Sequence, residues 1–536
     1  MSADKPTARE IAAAVWAASD AVRAGLDPVP AMHHVLAVFF FKCVADEVRE
    51  GHEAPGVQPE DDGNRLGRAP RLERWYADAG SDFRDLYKHR DTDDLGLRIN
   101  AALADLEAHN RETLKNVFDG LDFNAKAKPA STRKRLVGIR PLLEALHEID
   151  CRPSRLATPG TLGDAFERLL NYFAAEAGKR GGELHTPPDV AELLARLLAP
   201  VLTATPDPDP GNADTAGCPP AESLTIADPV CGAGSLLMSV SRQAGSDTTR
   251  LFGEEADAAA WALCRMHLLL HGIDNARIEH GDALRSPRLV ERGRLMRFDI
   301  VVGQLPFGRD EWRRDAAESD RFNRFWRGVP PKDRGDYAFI SHMIETAVEA
   351  RGRVGVIVPH GVLFRSGAEG RIRTQLIEDN LLDLVLGLPP SLLHHTPIPT
   401  AVLVFDKSRP RRPQPCTGDT PHATRASGGV LFIDASEDFE YGSPRNQLTE
   451  EQLSRIVRTY HNYQHVDRFA RVVTAQELIN NDCNLSIARY IDAHEHQSDV
   501  DPATLERDIA TLETELARVR REMAQCLTAL SDHTQR

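Results

Sequence analysis

Cysteine pairs at redox or metal spacing are missing from this chain. Its eight cysteines are scattered, with no Cys-x-x-Cys motif and no Cys/His cluster at zinc spacing. That pattern fits reduced structural thiols in a cytoplasmic protein, and no metal is expected. Long hydrophobic runs are missing too. The longest, at 35–41 in "HHVLAVFFFKCVADE", is too short to span a bilayer, and the opening "MSADKPTARE" carries no apolar secretory segment; no membrane association is expected. Positive charge is also lacking. A net charge of −15 argues against a free-standing DNA binder, because phosphate neutralisation drives such binding. Phosphodiester cleavage needs clustered metal carboxylates or an ATP-binding loop, and no G-x-x-x-x-G-K-[ST] loop is present.

What is present is ample for several cores. A chain of 536 residues, 41% hydrophobic and 27% charged, has the composition of a globular protein with two or three domains. Residues 1–150 read as a helical domain: "REIAAAVWAASDAVRAG", "AMHHVLAVFFFKCVADEVRE" and "LGLRINAALADLEAHN" all repeat apolar residues at helical spacing, with a polar Gly/Pro-rich loop at 51–70. Residues 151–440 read as an α/β domain. Amphipathic helices ("TLGDAFERLLNYFAAEAG", "PPDVAELLARLLAPVL") precede a Pro/Asp/Gly-rich linker at 205–221. Strands then alternate with helices, at 224–227, 249–253, 299–302, 354–358, 384–388 and 401–405, which implies βαβ units and a mainly parallel sheet. A second low-complexity stretch precedes "VLFIDAS". A C-terminal extension covers 441–500. In 501–536, Leu505, Ile509, Leu512, Leu516, Val519, Met523, Cys526 and Leu530 alternate in steps of four and three. That is a coiled-coil seam suited to a partner chain or paired helix. Two stretches depart from the acidic average: 124–140 holds six basic residues and no acid, and 309–334 mixes eight basic residues with Trp312, Phe322, Phe325 and Trp326. Both are compatible with a solvated face or a nucleic-acid groove.

The chemistry concentrates in three strand ends and one loop. In "TIADPVCGAGSLLMSV", Asp228 directly precedes a loop containing Gly232, Ala233, Gly234 and Ser235, and a helix follows. Gly232 and Gly234 permit a tight turn under a ligand. A dinucleotide loop wants a third glycine where this chain has Leu237, so an acid before the loop suits instead a ligand with an ammonium group. "RLFGEEAD" ends a second strand at Glu255, placed for the two hydroxyls of a ribose. "IEHGDAL" ends a third at Asp282, placed for an adenine amine. Three acids at three consecutive strand ends describe S-adenosylmethionine.

With these residues in view, the sequence resembles the DNA adenine-N6 methyltransferase subunits of type I restriction-modification systems. "LGDAFERLLNYFAAEAGKRGGELHTPPDVAELL", "ADPVCGAGSLL", "RFWRGVPPKDRGDYAFISHM", "GRVGVIVPHGVLFRSGAEGRIR", "LVLGLPPSLLHHTPIPTAVLVF" and "NDCNLSIARYID" carry the likeness, which covers most of the chain. The resemblance implies a Rossmann-like methyltransferase domain with a helical N-terminal domain and a C-terminal coiled-coil helix, using S-adenosylmethionine. It further implies a lid over the methionine end of that cofactor, here Glu183-Leu184-His185-Thr186-Pro187, with His185 in place of an aromatic. Double-stranded DNA, a separate specificity subunit and a second copy of the chain are the implied partners, with a restriction subunit as a further one.

The family's catalytic loop is Asn-Pro-Pro followed by Phe or Tyr. Its side-chain amide and the next main-chain carbonyl accept from the amine of a flipped adenine, and the aromatic stacks on the base. Here the loop reads Gln304-Leu305-Pro306-Phe307. The extra methylene of Gln304 displaces the amide oxygen, and Leu305 in place of Pro is expected to loosen the loop. Two readings stand: a working adenine methyltransferase with an unusual loop, and a cofactor- and DNA-binding subunit with an assembly or sensing role. A dehydrogenase-like enzyme or a small-molecule methyltransferase forms a third class. The absent third glycine opposes the first of these, and the helical N-terminal domain and coiled-coil tail oppose the second.

Overall fold

The computed structural model describes residues 5–53, 75, 82–124, 129–182, 185–199, 223–245, 249–307, 312, 314–317, 319–394, 396–410, 424–425, 428–492, 507 and 509–523. Alternation along its strands explains the layering. In β-structure successive side chains point to opposite faces. Accordingly Ile300 and Val302, Leu384 and Leu386, and Val402 and Val404 join one apolar cluster, while Val301, Val385 and Leu403 join another. Both faces of the sheet are therefore covered, as an internal, mainly parallel sheet requires.

The strands are β1 (Leu224–Asp228), β2 (Thr249–Glu255), β3 (Arg277–His280), β4 (Ile300–Gln304), β5 (Arg353–Pro359), β6 (Leu382–Gly387), β7 (Thr400–Asp406), β8 (Val430–Asp434) and β9 (Ala470–Val473). Their spatial order is β9-β8-β6-β7-β5-β4-β1-β2-β3. β1 pairs in parallel with both β2 and β4. β7 runs antiparallel between β5 and β6, and β9 is an antiparallel edge. Neither reversal was anticipated from the sequence. From β1 the chain winds outward through β2 and β3, then returns to β4 on the other side of β1. The order thus reverses between β1 and β4, and open α/β sheets bind ligands outside the carboxyl ends of strands at such a point.

The N-terminal helices do not build a core of their own. Ile11, Val15, Val35, Phe39 and Phe40 share one apolar cluster with Phe166, Leu194, Leu237 and Ile226. By packing, residues Met1–Ile491 form one compact unit and Asp492–Arg536 a second. The helix Ala8–Ala18 opens with a reciprocal cap in which Thr7 and Glu10 satisfy each other's backbone N–H groups. The helix Pro28–Glu53 contains a stretch long and apolar enough to cross a membrane by composition, longer than the 35–41 run suggested. Its apolar side chains from Val35 to Val44 are buried in the shared core. In the second unit, residues 509–523 are helical, and Ile509, Leu512, Leu516, Val519 and Met523 are all exposed. Leu505, Cys526 and Leu530, like residues 54–70, the 205–221 stretch and the side chains of 125–137, lie outside the described residues.

Candidate active site

β1 delivers Asp228 to the reversal point, and the chain turns through Gly232 and Gly234 into the helix Ser235–Ala244. Both glycines hold positive φ, 51° and 86°, where a side chain strains the backbone. Space enforces the choice at Gly234 as well, since a Cβ there would stand 2.9 Å from Cys264 Sγ. Gly234 is the helix N-cap, so the N–H groups of the first turn remain available to a ligand. The Gly232 N–H donates to Glu255 Oε2 (2.9 Å), and Glu255 Oε1 accepts from the Asp257 N–H (2.8 Å). The carboxylate at the end of β2 thus braces the loop and keeps lone pairs for a second acceptor role. Its neighbour Glu254 turns inward and accepts from the main chain of Arg288 and Leu289. Asp282 follows β3, and its Oδ1 caps the next turn by accepting from Leu284 and Arg285.

Asp228 is 1% exposed. Its Oδ1 accepts from the Val230 N–H at 2.9 Å, and no cationic side chain pairs with it among the described residues. Burial pushes its pKa up to about 8, and the Glu255 charge adds to the shift. A buried carboxyl in that condition is completed by a cationic ligand group. β4 brings the loop alongside. Gly303 lies against Asp228: a Cβ there would stand in ordinary contact, 3.6 Å from Asp228 Oδ1, and 3.3 Å from the flexible end of Met343.

Gln304 is the last residue of β4, in register with Ile357 of β5. It is 8% exposed, and its Oε1 is buried with no hydrogen-bond partner among the described residues. Leu305 is 1% exposed, and its N–H donates to the Ile357 carbonyl at 3.4 Å. The leucine therefore does not loosen the loop at this position. Its restored N–H extends the β4–β5 ladder by one residue, and its side chain is anchored in the core. Pro306 and Phe307 are half-buried, with Phe307 packed against both apolar clusters.

Of the lid, Glu183 and Leu184 lie outside the described residues. His185 and Thr186 are buried, and Pro187 caps the helix Pro188–Leu198. His185 Nδ1 lies 2.6 Å from Ser235 Oγ, a bond that ties the segment to the helix behind the glycine loop. Burial holds this imidazole well below its usual range, with His394, His267 and Arg445 adding to the shift.

Sequence reasoning missed two residues beneath the loop. Gly253 lets β2 pass under Cys231, since a Cβ there would meet Cys231 Sγ at 3.0 Å. His267 holds the Ala233 carbonyl through Nδ1 at 2.9 Å. A glycine inside a strand and a histidine on an apolar helix face were the available signals.

Comparison with known proteins settles the family. The N-6 DNA methylase profile matches residues 158–499, well over half of the chain. The chain belongs to the N-6 DNA methylase family. It is 30% identical over 354 residues to the methylase subunit of the type I restriction enzyme MjaVII from Methanocaldococcus jannaschii, covering 63% of this chain and 54% of that one. It is 26% identical over 447 residues to the MpnII methylase subunit from Mycoplasma pneumoniae, covering 80% and 76%. The chain spans about half the length of three M. jannaschii relatives it matches, 54%, 54% and 56% of them. Among solved structures, a type I restriction-modification methyltransferase subunit from Streptococcus thermophilus superposes with a TM-score of 0.73 at 25% identity, covering 91% of this chain and 100% of that one.

The chain uses part of its basic 309–334 segment internally. Arg324 is buried, pairs with Asp320, and donates to the carbonyls of Ala283 and Leu284. Arg327 is buried between Glu345 and Asp379. Trp312 and Phe325 are core residues, while Trp326 is half-exposed. Of the segment's basic residues Arg324 and Arg327 are thus structural, whereas Arg314, Arg321, Lys332 and Arg334 are exposed.

Proposed function

We propose that the chain is the methyltransferase subunit of a type I restriction-modification complex, transferring a methyl group from S-adenosylmethionine to the N6 amine of adenine in double-stranded DNA. The observation that carries this reading is the buried Oε1 of Gln304, unpartnered among the described residues, at the end of β4, the strand that pairs with β1 and its buried Asp228. An acceptor kept dry without a donor costs about 1–3 kcal/mol, a cost that a reacting amine offsets when it arrives.

Asp228, the glycine loop, Ser235, Glu255 and Asp282 fit the cofactor's ammonium, backbone, ribose and adenine in turn, with the segment 183–187 closing over it. When bound, S-adenosylmethionine supplies an electrophilic methyl group on a sulfonium. The chain's own part is positional. Gln304 Oε1 and the Leu305 carbonyl accept from the two N–H groups of a flipped adenine, Phe307 stacks on the base, and the amine's surplus proton leaves to solvent. The exposed stripe on helix 509–523 suits docking to a specificity subunit or a second copy, and a restriction subunit would join the same assembly. The setting is cytoplasmic.

A second reading draws on the altered Gln304-Leu305 pair: a subunit that binds cofactor and DNA without catalysis. One experiment separates the two. Modification-sensitive sequencing of the source genome, with and without this gene, should show loss of N6-methyladenine at one recurrent bipartite motif. An unchanged methylome, with expression of the subunit verified, refutes catalysis and leaves the binding role.

A further inference from the structure

Beneath the glycine loop lies a side-chain cluster that methyl transfer does not use. His267 and His271 stand four apart in "HLLLH", on one face of the helix Ala258–Leu270 and its C-cap. Glu167 comes from the helix Thr161–Gly182, which packs against it. Ligand atoms of the three lie within 4.8 Å of one another. His267 is fully buried. Its Nδ1 donates to the Ala233 carbonyl at 2.9 Å, which leaves Nε2 deprotonated, and that atom has no hydrogen-bond partner. An imidazole held through one nitrogen by a main-chain carbonyl, with the other nitrogen bare, is the arrangement of a metal-bound histidine. The His271 ring packs directly against the main chain at Gly163. Gly163 is required there, because a Cβ would stand 2.4 Å from the His271 ring.

We propose that Glu167, His267 and His271 form a binding site for a divalent transition-metal ion of the Zn2+ class. Two imidazoles and a carboxylate match that class in ligand type. Bonds of about 2.1 Å in a tetrahedral site place ligand atoms about 3.4 Å apart, so the triad closes by about 1.4 Å around the ion. Arg242 now occupies the approach. It donates to Glu167 at 3.1 Å and lies 3.2 Å from His271 Nε2. It also pairs with Asp164 at 2.6 Å, and its side chain is 43% exposed, so it can retain Asp164 while vacating the other two. The ion would then fix His267, and through it the Ala233 carbonyl at the base of the cofactor loop.

The test is equilibrium dialysis of the untagged full-length chain against Zn2+ alone, with bound metal measured by elemental analysis. One equivalent should bind, with affinity reduced at least tenfold in both His271→Ala and Glu167→Gln. Arg242→Ala should bind at least threefold more tightly, because a competing cation is gone. Absent binding at micromolar Zn2+, or equal affinity in wild type, His271→Ala and Glu167→Gln, overturns the site. So does an Arg242→Ala variant that loses thermal stability and gains no affinity, since the cluster is then an ion-pair network. If His271→Ala does not fold, Glu167→Gln, whose side chain is 15% exposed, decides with Arg242→Ala.

Discussion

Replacing Gln304 by Met separates catalysis from stability more sharply than any other change at the site. Methionine keeps the unbranched length of glutamine and removes the amide. Oε1 is buried and unpartnered, so an acceptor left unsatisfied is deleted from a position that is 8% exposed. That deletion relieves a cost of about 1–3 kcal/mol. For a cooperative unit of this size the gain is about 1–3 °C in Tm, given about 2.1 cal/mol/K of unfolding entropy per residue. Methyl transfer should move the other way, by about a hundredfold or more, because a preorganised group aimed at the reacting amine is gone. The assay pairs thermal melts of the purified chain with transfer of labelled methyl groups to DNA by the complex purified from its native host. Activity within threefold of wild type would show that Oε1 takes no part in chemistry. A fall in Tm would show that Oε1 is satisfied in the folded chain, and the reading of the loop would fail with it.

Three more outcomes are expected. Asp228 has its folded pKa raised to about 8, so the stability it contributes is full at low pH and is lost as pH rises through 8. A cationic ligand group favours the ionised form, and cofactor-analogue affinity measured by calorimetry should climb about tenfold per unit from pH 6 to 8; a flat profile, or one unchanged in Asp228→Asn, rules the contact out. Gln304→Asn and Leu305→Pro should each lower methyl transfer, while the double substitution recovers at least tenfold over the worse single variant; strictly additive losses in the four-variant cycle contradict coupling. Truncation near residue 500 should abolish assembly with the partner subunits by size-exclusion chromatography and leave the Tm of the remaining chain within a degree. Intact assembly after truncation removes the helical stripe from the interface.

The sheet was legible because its strands are β-branched runs bounded by turn residues, and "TIAD", "IVV" and "VGVIV" sit within the observed β1, β4 and β5. The acids at strand ends were legible because only position in the alternation was needed to place them. The antiparallel β7 was not. "TAVLVF" is fully buried on both faces whichever way it runs, so composition carries no sign of direction. The hinge between function and scaffold was also hidden in sequence. Glu254 and Glu255 are adjacent acids, yet one faces the main chain of Arg288 and Leu289 and the other the glycine loop, a division set by strand alternation that only the register reveals. The same holds for the 309–334 segment. Eight basic residues look like a surface until Arg324 pairs with Asp320 of the same segment and Glu345 and Asp379 arrive from elsewhere to pair with the buried Arg327.

Gln304 and Leu305 make physical sense as a pair. In an Asn-Pro loop the proline has no N–H, so ladder bonding stops at the residue before it. In this chain the Leu305 N–H continues the ladder to Ile357, and the leucine side chain is drawn into the core. Residue 304 is consequently held as a paired strand residue, deep at the rim, with its backbone committed to β5. An asparagine fixed there would present its amide one methylene short of the reversal point. Glutamine restores the reach, while the longer ladder supplies the stiffness that the proline would otherwise give. Read singly, each departure looks like damage to a catalytic loop. Taken together, the longer side chain on the more deeply anchored backbone keeps an unpartnered amide oxygen at the edge shared with Asp228, which is the condition methyl transfer requires.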